Sequence, residues 1–449
     1  MRTVARPNRP DPKGDAGPAS ADNQWKRAPL GQLVKFLSGG TPDMSKTSYW
    51  NGEIPWASAK DMKSFYIEDT EDHVTNEGAL NGTRLVPENT VLLLTRGMTL
   101  LEDVPICVTR RSTAFNQDVK ALIANDEISN QFLPYLLLGH KRRLLSLVDW
   151  AGHGTGRLNT DDLKGLEFSL PPKPEQEEIA MIMKSLDDKI DLNGKMNRSL
   201  EVIAKNVFKH WFVDFQFPKK EDSDTIHSYG RASRVGDSES DLPSGWTLSS
   251  LGEVLSSLET GGRPAGGVSV YQDGVPSIGA ENILGLGRYD YSKTKFVPQG
   301  YYDDMKTGVI TSGDVLLYKD GAEIGRKSLF MEGFPYGKCS VNEHVFILRP
   351  NEKVTSSYLY LWLDQWWVTE EIKNLNTNSA QPGINQDEVR SLPILVPPKE
   401  VVAAFDRFVQ PLLSRIFENS LQARTLSEIR DTLLPGLVSR RLRVAVRKG

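Results

Sequence analysis

An internal duplication constrains the fold of this 449-residue chain more than any other feature of its sequence. The stretch Trp25-Lys-Arg-Ala-Pro-Leu-Gly31 is matched in the second half of the chain by Trp246-Thr-Leu-Ser-Ser-Leu-Gly252. Phe115-Asn-Gln-Asp-Val119 matches Val341-Asn-Glu-His-Val345 at nearly the same spacing. The matches keep their order, and small loop insertions account for the slight drift in their spacing. We therefore expect two copies of one scaffold.

The first part of each copy, about residues 25–170 and 246–396, has the pattern of a mixed domain. Short apolar runs bounded by Gly, Pro, Asn and Asp predict strands at Thr90–Thr95, Asp314–Leu317 and His344–Leu348. Helical segments are expected near Phe132–Leu147 and Ser357–Lys373. The predicted class is α/β (α+β), with a substantial sheet in each copy.

The second part of each copy has a helical pattern. No proline interrupts the chain from Pro174 to about Trp211, and Glu175 to Glu178 suit a helix N-terminus. Steps of four and three residues define a heptad seam, which consists of Ile179, Met183, Leu186, Ile190, Asn193, Asn197, Leu200, Ala204, Val207 and Trp211. At 1.5 Å per residue, this helix would be roughly 55 Å long.

The C-terminal copy repeats this seam from about Glu400 to Leu434, with Ile416 and Leu426 matching Ile190 and Leu200. Pro411 interrupts its first turns and is expected to kink the helix or reset its start.

Asn193 and Asn419 occupy matched places in the two seams, as expected for coiled-coil register residues. We expect the helices to form an antiparallel coiled coil with pseudo-two-fold symmetry, because one amphipathic helix cannot bury its stripe alone. The alternative is that each helix packs only on its own globular domain.

These patterns divide the chain into seven segments. Residues 1–24 are expected to be a disordered N-terminal arm, followed by globular domain 1 at 25–172 and a central helical spacer at 173–217. A polar linker at 218–243 leads into globular domain 2 at 244–398, a C-terminal helical spacer at 399–435 and a tail at 436–449.

Composition excludes several classes of protein. Lys and Arg number 54 against 58 Asp and Glu, which gives a formal net charge of −4, so any nucleic-acid contact requires local basic patches or a partner. The two cysteines, Cys107 and Cys339, form neither a disulfide framework nor a zinc motif. No apolar run is long enough for a membrane span, and the N-terminus lacks a signal-peptide pattern, which predicts an intracellular protein.

Several stretches resemble the specificity (S) subunits of type I restriction-modification enzymes. They are Leu37-Ser-Gly-Gly-Thr-Pro42, Tyr49-Trp-Asn-Gly-Glu-Ile-Pro-Trp56, Phe168-Ser-Leu-Pro-Pro172 with Glu175-Gln176, Trp211-Phe-Val-Asp-Phe215, and Leu433-Leu-Pro-Gly-Leu437 with Leu442-Arg-Val444. The resemblance spans nearly the whole chain from Trp25, and the order of the motifs is more specific than any one of them.

The resemblance implies that the globular domains are target-recognition domains, each recognising one half of a split, asymmetric site in double-stranded DNA. The helices would set the distance between the halves and bind two modification (methyltransferase) subunits, and restriction (motor/nuclease) subunits would complete the enzyme. S-adenosylmethionine, ATP and Mg²⁺ would then be bound by partner subunits, with no cofactor in this chain. The expected location is the cytoplasm of a prokaryotic cell.

Donor-rich turns supply the candidate DNA-binding residues, because Arg and Lys bind guanine or phosphate and Gln binds adenine. In the first copy they are Lys46, Lys60, Arg84, Arg96, His153, Thr155 and Arg157, and in the second Arg263, Lys319, Arg326, Lys327 and Gln381. Any one of them is as readily explained as a solvated surface charge. Thr95-Arg96 and Lys319-Asp320 are the favoured pair, because both end the same predicted strand just before a glycine.

Two other matched features are expected to be structural. Asn116 and Asn342 adjoin apolar positions, which favours a turn role. The aromatic cluster Trp211–Phe215 is expected to lie in a core, with a place at the interface to a modification subunit as the alternative.

Motifs for catalysis are weak, so no catalytic or metal-binding residue is predicted. Gly321-Ala-Glu-Ile-Gly325 has the wrong spacing for a phosphate-binding loop. Pro42-Asp43 with Asp61-Met-Lys63 fits a loose nuclease pattern, so an autonomous metal-dependent DNA nuclease is the alternative function. A coiled-coil adaptor without DNA contact is a third.

Overall fold

The computed structural model describes residues 25–150, 154–217, 242–321, 323–331, 333–375 and 383–445, which form two compact units. Unit 1 contains the described residues of Met1–Leu186 and Ile429–Gly449, and unit 2 those of Asp187–Glu428. The predicted N-terminal arm and residues 218–241 of the predicted linker lie outside the described residues.

Unit 1 is built on short strands with a few helices between them. The strands are β1 Lys26–Pro29, β2 Val34–Ser38, β3 Trp50–Ala57, β4 Tyr66–Ile67, β5 His73–Val74, β6 Arg84–Val86, β7 Val91–Leu94, β8 Arg96–Gly97, β9 Ile106–Thr109, β10 Thr113–Phe115, β11 Val119–Ala124, β12 Val148–Trp150, β13 Gly156–Leu158 and β14 Glu167–Leu170. The helices are α1 Leu30–Leu33, α2 Asn76–Gly82, α3 Leu133–Gly139, α4 Lys141–Leu145, α5 Thr160–Gly165 and α6 Lys173–Phe212, with 3₁₀ turns at Thr47–Tyr49 and Met98–Leu101. Helix α6 belongs to unit 1 up to Leu186 and to unit 2 from Asp187.

The core of unit 1 surrounds a five-stranded sheet of order β2-β11-β7-β9-β4. Strand β7 is buried at every position, which explains its continuous apolar sequence Val-Leu-Leu-Leu. A four-stranded sheet, β5-β3-β10-β6, and a three-stranded sheet, β12-β13-β8, complete the unit together with the β1–β14 pair. Helix α3 packs into the same core with five of its seven residues buried.

Unit 2 repeats this arrangement with fewer strands. They are β15 Thr247–Ser250, β16 Leu255–Thr260, β17 Val275–Ile278, β18 Lys295–Val297, β19 Val315–Tyr318, β20 Lys327–Leu329, β21 Ser340–Val341, β22 Val345–Pro350 and β23 Pro393–Val396. The helices are α7 Leu251–Val254, α8 Gln299–Asp304, α9 Ser356–Leu363, α10 Trp366–Asn374, α11 Gln386–Ser391 and α12 Lys399–Val438, with 3₁₀ turns at Ala280–Asn282 and Tyr291–Lys293. Helix α12 belongs to unit 2 up to Glu428 and to unit 1 from Ile429.

Equivalent pairings in the two units confirm the predicted mixed class and the duplication. Strand β1 pairs antiparallel with β14, as β15 does with β23. The parallel β3–β10 pair of unit 1 is repeated by β17–β21. The order β2-β11-β7-β9 corresponds to β16-β22-β19-β20 in unit 2.

Two helices of 40 residues each, α6 and α12, stand where the heptad seams predict them. Helix α12 runs unbroken through Pro411, so the expectation that this proline resets the helix start is wrong. The seam also drifts along α6, where Phe208 and Phe212 are fully buried while the neighbouring Val207 and Trp211 are only half-buried. A helix of 3.6 residues per turn moves off a strict seven-residue repeat in this way.

The helices pair directly and antiparallel within unit 2. Asn193 Nδ2 donates to the Asn419 carbonyl at 3.2 Å, Asn197 Nδ2 to the Ile416 carbonyl at 3.1 Å, and the Phe208 ring lies 5.8 Å from that of Phe405. The residue numbers of the partners on α12 decrease as those on α6 increase, so the two helices run antiparallel. This confirms the expectation of helix–helix pairing over the alternative of isolated packing.

A buried amide network joins the two helices. Asn193 Nδ2 also donates to Gln422 Oε1 at 2.9 Å, and Asn419 Nδ2 donates to Asn197 Oδ1 at 2.9 Å. The Oδ1 atoms of Asn193 and Asn419 are buried without a hydrogen-bond donor among the described residues. We propose that these asparagines fix the register at a cost in stability.

Substitution of Asn193 tests this role. Asn193→Ala is expected to lower the free energy of unfolding by about 1–3 kcal/mol, because buried acceptors on α12 lose their donor. Asn193→Leu with Asn419→Leu is expected to lower it by less than Asn193→Ala does, because both unpaired oxygens are removed and leucine fills the space, although Gln422 Oε1 and Asn197 Oδ1 lose their donors. Urea denaturation measures both effects, and equal losses in the single and double variants would contradict this role.

Candidate nucleic-acid interface

The three-stranded sheet of unit 1 brings two predicted arginines together. In its register Asp149 of β12 lies opposite Arg157 of β13, and Arg157 lies opposite Arg96 of β8. Side chains directly opposite on neighbouring strands share one face of the sheet. With Trp150 and Asn159 they line a cleft of about 250 Å³, which we call the arginine cleft.

Glycines make this small sheet possible. Gly97 adopts φ +155°, a backbone conformation that disfavours side chains, directly after Arg96. A Cβ atom on Gly156 would lie 2.8 Å from Val148 Cγ1 and 2.9 Å from Leu100 Cβ. The strand carrying Arg157 therefore approaches its neighbours closely only because position 156 has no side chain.

The arginine cleft carries an excess of positive charge. Its two arginines face one carboxylate, Asp149, and neither arginine forms an ion pair within the part of the chain that the structure describes. Like charges directly opposite each other destabilise a sheet. The arrangement is therefore suited to an acceptor-rich or anionic ligand, such as the guanine edge or a phosphate.

Trp150 and Asn159 add stacking and amide groups to this cleft. The Trp150 side chain is 70% exposed at the end of β12, which leaves an aromatic face available to a ligand. Asn159 caps α5 by accepting a hydrogen bond from Asp161 N at 2.9 Å through Oδ1. Its Nδ2 has no acceptor among the described residues, and an asparagine amide can donate a hydrogen bond to adenine N7.

The other candidates of the first copy lie outside the arginine cleft. Lys46 and Arg84 are exposed, and Lys46 lies over the Tyr49 ring at 5.0 Å. Lys60 is held by Asp72 at 2.8 Å and by Glu71 at 3.2 Å, and the hydrogen bond to Asp72 raises the pKa of this lysine. Thr155 is half-buried just before β13, and His153 lies outside the described residues.

Unit 2 carries different chemistry at the equivalent position. Asp320, the counterpart of Arg96, forms an isolated bridge with Gly383, the counterpart of Arg157. Both carboxylate oxygens of Asp320 lie 2.9 Å from His344 Nδ1. Arg263 contacts His344 Nε2 and forms a 2.6 Å ion pair with Glu343. The two units thus present a paired-arginine surface and an Asp–His–Arg surface.

Two further candidates of the second copy are accessible. Lys319 is half-buried, with its ammonium 5.0 Å from the centre of the Phe346 ring. Arg326 is exposed and forms a 3.0 Å ion pair with Glu323. Gln381 lies outside the described residues.

The structure corrects the prediction that Lys327 is a DNA-binding residue. Its side chain is 5% exposed, and Nζ donates to the Leu363 carbonyl at 2.8 Å and to Thr369 Oγ1 at 2.6 Å. The ammonium lies 3.9 Å from Asp364. This lysine anchors β20 beneath α9 and α10, where it cannot reach DNA.

Burial lowers the pKa of Lys327 from 10.5 to about 8. Between these values the unfolded chain holds a proton at this residue that the folded chain does not, so raising the pH favours the folded state. Relative to Lys327→Met, the parent is expected to gain about 2–3 kcal/mol of stability between about pH 7 and pH 10.

Urea denaturation at both pH values measures this gain, with Lys319→Met, at a half-buried position, as the matched control. A parent-to-variant difference that stays constant with pH would rule out a depressed pKa at Lys327.

The two asparagines assigned to turns do lie in equivalent turns. Asn116 Oδ1 accepts from Asp118 N at 3.1 Å, and Asn342 Oδ1 accepts from His344 N at 2.9 Å. Within the predicted aromatic cluster, Phe212 and Phe215 are buried in the core of unit 2.

The carboxylates of the nuclease pattern serve local structure. Asp61 accepts hydrogen bonds from the backbone of Ser58 at 2.9 Å and of Glu71 at 3.0 Å, and Asp43 accepts from Ser45 N at 3.0 Å. Among the described residues no group of three or more His, Cys, Asp or Glu side chains is placed to hold a metal ion. No helix within the described ranges is long and apolar enough to cross a membrane.

Sequence reasoning missed Trp150, Asp149 and Asn159 in unit 1 and His344 in unit 2, and it noted Asp320 only as the neighbour of Lys319. An exposed tryptophan leaves no local signal that separates it from a core residue. The offset that relates Phe115 to Val341 also pairs Asp118 with His344, and the charge difference at that pair was the available clue.

Comparison with known proteins identifies the duplicated scaffold. The model of the family described as "Type I restriction modification DNA specificity domain" matches residues 22–202 and 243–419. The specificity subunit of the type I restriction enzyme MjaIX of Methanocaldococcus jannaschii is 25% identical over 433 residues, covering 94% of each chain. That of the HindI enzyme of Haemophilus influenzae is 26% identical over 372 residues, covering 69% of this chain and 76% of its own.

A solved structure shares the fold. The S subunit of a type I restriction-modification system from M. genitalium superposes with a TM-score of 0.54 at 15% identity, covering 93% of this chain and 97% of its own. Since the family model matches most of the sequence in two consecutive copies, the chain belongs to the family of type I restriction-modification DNA specificity domains.

Proposed function

We propose that this chain is the DNA-recognition subunit of a type I restriction-modification enzyme and that it recognises a bipartite, asymmetric site. The observation that carries the proposal is the pair of unlike polar surfaces on one duplicated scaffold. Arg96 and Arg157 lie opposite each other in unit 1, whereas Asp320 and His344 are hydrogen-bonded to each other at the equivalent place in unit 2. Unlike donor and acceptor patterns select unlike bases.

The partners follow from the same assignment. Two modification (methyltransferase) subunits would bind S-adenosylmethionine, and restriction (motor/nuclease) subunits would use ATP and Mg²⁺. The chain itself would be non-catalytic and would act in the cytoplasm of a prokaryotic cell. The paired helices α6 and α12 are the candidate spacer in this assembly, and hydrogen bonds join them where they pair.

Selection from a randomised duplex library tests the proposal, using the full chain co-expressed with its neighbouring methyltransferase subunit. Enrichment of a split site with two different halves is expected, with binding that weakens steeply as salt rises. Enrichment of no sequence, or failure to purify with the methyltransferase, would contradict the assignment.

The nuclease alternative has no support in the matches reported above, which are specificity subunits and a specificity-domain family. The purified chain with Mg²⁺ alone is expected to leave duplex DNA intact. Cleavage that disappears in Asp61→Asn would revive this alternative. The adaptor alternative would be favoured if the co-purified complex bound no DNA.

A further inference from the structure

Unit 1 contains a second, larger cleft, which we call the basic cleft. It measures about 730 Å³ and lies between α3, α4, two loops and the last turns of α12. Six cationic side chains line it, namely Lys63, Lys141, Arg142, Arg143, Arg430 and Arg441, against two carboxylates, Asp103 and Asp431. It therefore holds an excess of four positive side chains in a protein whose formal net charge is −4.

The two carboxylates neutralise only part of this charge. Lys141 pairs with Asp103 at 2.7 Å, and Arg430 pairs with Asp431 at 2.8 Å. Arg143 donates to the Glu167 carbonyl at 3.2 Å, and Arg441 Nε donates to Ser439 Oγ at 3.0 Å, so both are oriented by neutral groups. These contacts hold guanidinium groups in place without cancelling their charge.

The duplication provides an internal control for the role of these cations. At the offset that relates Asn193 to Asn419, Lys141-Arg-Arg143 corresponds to Trp367-Val-Thr369 of unit 2. The same helix pair forms there without a positive charge at these positions. The cations of unit 1 are therefore not required by the scaffold.

The open space of the basic cleft also follows from a difference between the two copies. Phe208, Phe212 and Phe215 fill the aromatic core of unit 2. Their counterparts at the same offset are Leu434, Val438 and Arg441, which are smaller or charged. Unit 1 thus leaves a cleft where the other copy is packed with rings.

The remaining lining of the cleft is neutral. Burial lowers the pKa of His140, which favours its uncharged form, and raises the pKa of Cys107 to about 12, which keeps the thiol protonated. Phe65, Leu138 and Leu434 add an apolar wall. The cleft therefore combines cationic groups with apolar surface.

We propose that the basic cleft binds phosphate groups, supplied either by the DNA backbone outside the recognised bases or by a free nucleotide. Arginine forks match phosphate oxygens geometrically, and cations without carboxylate partners gain most from an incoming anion. The DNA source rests on the proposed function, whereas the nucleotide source does not.

The test compares the full-length parent with the double variant Arg142→Ala, Arg441→Ala. The control, Arg27→Ala with Lys35→Ala, removes the same charge from exposed positions of unit 1 outside the cleft. One arm measures binding of a scrambled duplex across a salt series. If DNA supplies the phosphates, the negative slope of log K against log salt is expected to become shallower by about one to two units in the cleft variant only.

The second arm titrates the same proteins with ATP by calorimetry. Saturable binding that is lost in the cleft variant and kept in the control assigns the cleft to a free nucleotide. Arg142→Lys with Arg441→Lys is expected to restore binding in whichever arm responds, which separates charge from folding.

The proposal is overturned if the cleft variant equals the control in both arms, or if the lysine variant fails to restore the signal. Selection of a split target by the parent chain is a separate measurement. The proposed function therefore stands or falls independently of the basic cleft.

Discussion

Arg96→Ala is expected to weaken binding of the cognate duplex by about 1–3 kcal/mol, and Arg96→Ala with Arg157→Ala by more than either single variant but by less than the sum of the two. Each arginine can donate two parallel hydrogen bonds to one guanine, and the two lie opposite each other in the sheet. Their effects should not add, because they share Asp149 and one cleft. Competition binding with the cognate duplex, and with duplexes changed at single positions, measures affinity and specificity together.

Arg27→Ala is the matched control, because Arg27 is exposed in unit 1 outside the arginine cleft. Its loss should be small and equal for all duplexes. If Arg96→Ala lowered affinity equally for every sequence, Arg96 would contact phosphate rather than a base. Unchanged affinity in the double variant would remove the arginine cleft from the DNA interface.

Phe212→Ala is expected to destabilise unit 2 by about 3–5 kcal/mol, because a buried ring is replaced by a cavity. Phe212 is completely buried, with its ring centre 4.8 Å from those of Tyr358 and Phe405. It joins helices α6, α9 and α12 in one aromatic core. For a unit of this size, the melting temperature should fall by about 6–20 °C.

Phe408→Ala provides the same substitution at a position of α12 that is 51% exposed. Calorimetry of the full chain should show a lowered transition for Phe212→Ala and almost none for Phe408→Ala. Equal shifts in the two variants would mean that the aromatic cluster does not hold the core of unit 2.

The duplication and the helix pair were predictable because their signals are periodic or repeated along the chain. Matched motifs at a nearly constant offset show that one scaffold occurs twice. A seam with steps of three and four residues predicts which helix face is buried, and Asn193 and Asn419 stand out in it as polar residues at matched positions. The exact buried face was less predictable. A helix has 3.6 residues per turn and not 3.5, so by the end of α6 the buried position is Phe208 and not the seam residue Val207.

The candidate DNA interface depended on contacts between distant segments. Arg96 and Arg157 are far apart in the sequence, and only strand pairing places them opposite each other. Trp150 joins them because it is the exposed end of β12, the strand on the other side of β13 from β8.

The sequence by itself determined the repeated scaffold, its mixed class and the long amphipathic helices, because hydrophobic spacing is a local property of the chain. Only the tertiary structure decided which charges are accessible. It buried Lys327 beneath two helices and left Arg96 exposed, although both residues stand beside apolar strands. Exposure depends on which distant segments cover a side chain, and a single sequence does not encode that in its local pattern.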